Sequence, residues 1–158
     1  MKKIVTNLLV VLAALAITAV VGLGADSSVG TWEQNAAKSK FTGSNAVKSQ
    51  TDVREATPDG GVKVTRTGQL ANGTDVKGSF VYKYDGKKYP ATGLLFNVLS
   101  VKRVNANMTT FDVKKTGGKY HVKGQNVISA DGKTMTQTAK GTDAEGKPIS
   151  STVVFDKQ

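Results

Sequence analysis

The sequence predicts an all-β domain, an antiparallel up-and-down meander that closes into a barrel of about eight strands. Two observations predict it, and a third bounds its stability. Turn signals recur at short intervals from Pro58 onward. The segments between them alternate apolar and polar residues with a period of two. Cysteine is absent, so the fold must be stable without disulfides.

The chain begins with a leader. Lys2 and Lys3 precede an almost unbroken apolar run from Leu8 to Val21, and Gly22, Gly24 and Ala25 lead into the polar Asp26-Ser27-Ser28. A basic start, an apolar middle and a small-residue exit form the signal-peptide pattern. Residues 1–25 are expected to be a signal peptide, cleaved after Ala25 or after Gly24, and residues 26–158 to be the β-barrel domain. The competing reading is a membrane anchor, since roughly 20 apolar residues cross a bilayer. No basic stop-transfer cluster follows the run, which favours cleavage and export to the periplasm or the extracellular medium.

Strands are expected near 28–34, 48–56, 61–69, 74–84, 88–92, 95–104, 108–115, 119–129, 133–141 and 148–156, with one or two of them short or merged. Between Gln34 and Phe41, Ala36, Ala37 and Lys38 tolerate a helical turn or two. Pro58-Asp59-Gly60-Gly61, Asn72-Gly73, Asp85-Gly86, Asn105-Ala106-Asn107, Gly117-Gly118, Asp131-Gly132 and Glu145-Gly146 separate the strands. Such turns supply the conformations that tight hairpins demand, and their aspartates bond to nearby backbone. Val76, Gly78, Phe80, Tyr82 and Tyr84 share one face. So do Thr109, Phe111 and Val113; Tyr120, Val122, Gly124, Asn126 and Ile128; and Ile149, Ser151, Val153 and Phe155. A sheet of this many twisted strands closes or splits into two layers, and closure removes exposed edges. A barrel is therefore preferred to a sandwich.

Composition excludes several chemistries. Without cysteine there is no thiolate zinc site, iron–sulfur cluster or cysteine nucleophile. His121 is the one histidine, so a multi-histidine metal site within one chain is excluded, and no metal or cofactor is expected. No Gly-x-Ser-x-Gly elbow or phosphate loop is present, and His121 is expected on an outward face. Most acids sit in turns, at Asp59, Asp85, Asp131, Asp143 and Glu145. The chain is expected not to be an enzyme.

The net charge is +10, or +8 over residues 26–158. Lys77-Gly78-Ser79-Phe80-Val81-Tyr82-Lys83-Tyr84 is one residue short of an RNA-binding pattern, which moves its aromatics to the wrong face. No nucleic-acid partner is expected. Lysines spread over nearly every strand read as a solubility pattern, with nonspecific attraction to anionic envelope surfaces as a secondary consequence. The oligomeric state is not legible.

Gly30-Thr31-Trp32 opens the first strand. Here the sequence resembles the lipocalin and calycin superfamily, whose first strand carries Gly-x-Trp. The resemblance implies a lipocalin-like barrel with a ligand in its mouth. It also implies that Trp32 closes one end against a basic residue of the last strand, for which Lys157 is the candidate. Gly30 to Asn35, Ala37 to Phe41, Tyr82 to Lys87, Val101 to Val104, Ser129 to Thr134 and Phe155 to Gln158 also look like a group of uncharacterised exported bacterial proteins beginning Gly-Thr-Trp.

The expected function is binding of a small apolar or amphipathic ligand within the barrel. Trp32, Phe80, Tyr82, Phe96, Phe111, Tyr120 and Phe155 are the expected lining. The alternative is a non-catalytic structural or interaction module of the cell envelope whose core is filled by small branched side chains. The interior volume separates the two readings, because ligand pockets run to a few hundred Å3.

Overall fold

A computed structural model describes residues 26–44 and 46–158. The expected signal peptide and its cleavage lie outside the described residues. The elements run β1 (Gly30–Gln34), a 3-10 turn (Ala36–Lys38), β2 (Lys40–Thr42), β3 (Val47–Ala56), β4 (Val62–Leu70), β5 (Asp75–Tyr82), β6 (Asp85–Thr92), β7 (Val98–Asn105), β8 (Met108–Lys114), β9 (His121–Ile128), β10 (Thr134–Thr142) and β11 (Pro148–Lys157). Every pairing is antiparallel between consecutive strands from β3 to β11, and β1 bridges β3 to β11 to close the ring.

The barrel therefore has ten strands, two more than the sequence suggested, and β2 lies outside it on β11. The candidates for merging stay separate because each keeps its own turn. Between β5 and β6 the chain reverses before Asp85-Gly86, where Gly86 has φ +74 and Asp85 Oδ1 accepts the Lys87 N–H at 2.9 Å. A side chain at that φ would be strained. Two extra strands matter because barrel diameter grows with strand number.

The stretch expected to hold a helical turn or two holds one 3-10 turn. Asn35 caps it, its Oδ1 accepting the Lys38 N–H at 3.1 Å. This turn breaks what would be one long first strand. Its first half, β1, pairs with both β3 and β11. Its second half, β2, stays on β11, and among the described residues no ladder joins β2 to β3.

Period-two alternation sends one side chain in two inward. One apolar cluster runs along the β4–β9 wall around Val62, Val64, Phe80, Leu99, Val101 and Val122. A second fills the end near both described termini, with Trp32, Ile128, Met135, Val153 and Phe155. Trp32, Met135 and Phe155 are 0% exposed. The turn aspartates act as their positions suggest: Asp131 Oδ1 accepts from Lys133 N, and Asp143 Oδ1 accepts from Glu145 N and Lys147 N.

Candidate functional site

The barrel interior holds a cavity of about 160 Å3. Its wall comes from β3–β5 and β7–β11, and the Gly93–Asn97 connection leans over it with Leu94 and Phe96. On one flank the lining is interrupted where β2 and β3 part, with Phe41 and Thr42 on one side and Val47, Ser49 and Gln50 on the other. Among the described residues no ladder pairs β2 with β3 at this flank.

Of the seven expected lining residues, Phe80, Tyr82, Phe96, Phe111 and Tyr120 line this cavity. Trp32 and Phe155 do not. Both sit in the second cluster and fill the barrel end. The sequence shows which face a residue takes, but not its height along the barrel axis. Burial pushes the Tyr82 and Tyr120 hydroxyls up, so both phenols stay neutral and act as amphipathic wall. Phe80 packs edge-on against Phe96 at 5.9 Å between ring centres.

Phe111 owes its place to Gly124, its direct cross-strand neighbour on β9. A Cβ at Gly124 would collide with the Thr138 carbonyl and the Phe111 ring. The missing side chain lets the ring lie across the strand.

The polar part of the lining was not anticipated. Gln50, Asp52 and Arg54 alternate along β3 with their side chains inward, and all three are buried. Asp52 faces Arg66 of β4 in register. Arg66 grips it with two parallel bonds, Nε to Oδ1 and Nη2 to Oδ2, each 2.8 Å. Gln50 Nε2 donates to Oδ1 at 3.1 Å, and Arg54 Nη2 donates to Oδ2 at 3.3 Å. Burial alone would push the Asp52 carboxyl up. The two guanidiniums, Arg66 foremost, reverse this and hold it below the usual carboxylate range. Arg54 and Arg66 line the cavity, with Gln50, Asn126, Gln137 and Ser151 as further polar lining. Gln137 Nε2 donates to Asn126 Oδ1 at 2.9 Å.

One signal could have found this cluster. Val62, Val64, Arg66, Gly68 and Leu70 fall on one face, so Arg66 interrupts an apolar stripe. The hairpin that pairs Ala56 with Val62 then brings Asp52 opposite Arg66. On β3 the signal is weaker, because the apolar Val53 lies on the outer face, 38% exposed.

The barrel end beside this cluster, where Trp32 pairs in register with Asp52, is closed as the Gly-x-Trp resemblance implied. Trp32 Nε1 donates to Ser28 O at 2.8 Å, and Lys157 Nζ stands 5.2 Å from the Trp32 ring centre. Beside it Arg103 lies 3.8 Å over the Tyr84 ring and pairs with Asp26 at 2.8 Å. His121 sits on the outer wall beside Asp112 and Lys123.

Solved structures share this architecture. The fold is calycin-like. The fluorescent protein UnaG matches over 84% of this chain and 98% of its own, at 14% identity and TM-score 0.52. An S-type phycobiliprotein lyase, CPES from Guillardia theta, matches over 84% of this chain and 89% of its own, at 11% identity and TM-score 0.54. At such identities the likeness is one of fold. No family model matches the chain, and no curated protein matches it.

Proposed function

We propose that the barrel binds a small apolar or amphipathic molecule in its interior. The observation that carries this reading is the cavity of about 160 Å3, lined by aromatic and branched side chains with polar groups set among them. Binding sites of this kind are concave, mostly apolar and sparsely polar. The volume is below the roughly 300–1,000 Å3 of drug-sized pockets. It matches a cavity of about 150 Å3 that accepts benzene. The ligand is therefore of the size of one ring or a short chain.

The role we propose is non-catalytic. Both Asp52 oxygens are taken by guanidinium groups, and the His121–Asp112 pair lies outside the barrel. Export to the periplasm or beyond, and kinship with the Gly-Thr-Trp group of exported bacterial proteins, belong to the same proposal. They rest on the leader and on the quoted segments. Outward lysines oppose each other directly at Lys123 and Lys140. Like charges so placed do not help the sheet. They favour nonspecific attraction to anionic surfaces, measurable by salt-sensitive sedimentation with anionic vesicles.

Titration of the described domain with benzyl alcohol and with hexanol, followed by amide NMR, tests the ligand reading. Saturable shifts centred on Val64, Phe111, Val122 and Ala139 are expected. Shifts confined to the outer wall, or none, overturn it in favour of a filled-core structural module. Native mass spectrometry of protein purified gently from its host reads the same point through a retained small mass.

A further inference from the structure

The charges buried around the cavity do not balance. Asp52 has both oxygens engaged by Arg66, and it offers Arg54 only a longer contact at 3.3 Å. The next carboxylate on that side, Asp26, is held by Arg103 at 2.8 Å. Arg103 and Asp26 stand partly in solvent and neutralise each other, so the count at the cavity is two guanidiniums, Arg54 and Arg66, against one carboxylate, Asp52, which leaves one positive charge over. That charge is Arg54, 6% exposed, whose Nε is buried and has no acceptor among the described residues. Arg66 also keeps one nitrogen, Nη1, outside its grip on Asp52. Among the described residues no carboxylate lines the cavity.

A buried charge without a counter-charge is costly, and a buried donor without an acceptor adds to the cost. Such a feature persists where something outside the chain completes it. Arginine suits this role because its planar fork matches a carboxylate and it cannot give up its proton.

We infer that the cavity takes a compact monoanion, a one-ring or short-chain carboxylate, whose charge is met by Arg54 with Arg66 beside it. The inference rests on the cavity being a ligand site. The apolar half of the lining, Phe111, Val113 and Val122 among it, receives the ring or chain. The volume excludes long-chain acids from full burial. The Tyr82 and Tyr120 hydroxyls, kept neutral by burial, do not oppose the anion.

Matched probes test it. Benzoate is compared with benzyl alcohol, and hexanoate with hexanol, by calorimetry and amide NMR at low and high salt. The carboxylates are expected to bind at least about tenfold tighter than their neutral partners, as for a charge-assisted hydrogen bond. The preference should survive high salt, because a buried pair is poorly screened. Arg54→Met should bring each pair to within about twofold of each other. It should leave the thermal midpoint of the free protein unchanged or higher, because it removes the surplus charge and spares the Asp52–Arg66 pair. Arg54→Gln serves as a second variant of the same sign. Equal binding of acid and alcohol overturns the anion inference and leaves the cavity reading standing, as does a preference erased by salt. Binding of neither kind of probe overturns both.

Discussion

Lys157 holds its ammonium 5.2 Å from the centre of the Trp32 ring and donates to Ser27 O at 3.1 Å. Trp32 in turn donates to Ser28 O. The last strand thereby ties the start of the described chain over the barrel end that Trp32 fills. A cation over an indole face and a backbone hydrogen bond together contribute on the order of 1–2 kcal/mol. Lys157→Met is expected to lower unfolding free energy by about that amount in urea, and Lys157→Arg to keep most of it. Trp32→Ala should cost roughly 3–5 kcal/mol, because it empties a fully buried site.

Asp52 is the counter-ion for two guanidiniums, the buried Arg54 and the partly buried Arg66. Asp52→Asn should destabilise the protein by roughly 3–5 kcal/mol, the range for breaking a buried pair from one side. The opposite sign expected for Arg54→Met makes the comparison sharp.

The same carboxylate sets an acid limit. Its pKa in the folded state is depressed, so its contribution is present above the unfolded carboxylate value, about 3.9, and is lost as pH falls through the lower folded value. Stability measured against pH should fall below about pH 4. Asp52→Asn should make that fall shallower without abolishing it, because Asp26, Asp131 and Asp143 are also held low.

Gly124 is required by close approach. Gly124→Ala sets a methyl against the Thr138 carbonyl and the Phe111 ring. It should cost about 1–3 kcal/mol as overpacking. Pairing it with Phe111→Leu should recover part of the loss, a coupling readable in a double-mutant cycle.

Ala139 lines the cavity from β10 with a small side chain. Ala139→Leu fills space rather than removing contacts. It should leave the urea midpoint unchanged or higher while abolishing the NMR shifts caused by benzyl alcohol.

The strands, their turns and most of their inward faces follow from the sequence by itself, because alternation and turn chemistry are local. Phe80, Tyr82, Phe111, Tyr120 and Val122 could be placed on an interior face from a few neighbours each. The Trp32–Lys157 contact was legible only through the Gly-Thr-Trp resemblance, since 125 positions separate the two residues. Tertiary structure decided the rest. Ring closure through β1 and β11 set the strand number at ten, and the break at Ala36–Lys38 parted β2 from β3. Axial height removed Trp32 and Phe155 from the cavity wall. Register across the β3–β4 hairpin joined Asp52 to Arg66 and left Arg54 with the surplus charge. The cavity volume is the small remainder after many side chains from distant strands have met, and its buried charge is likewise a sum over partners far apart in the chain. No short stretch of sequence carries either quantity.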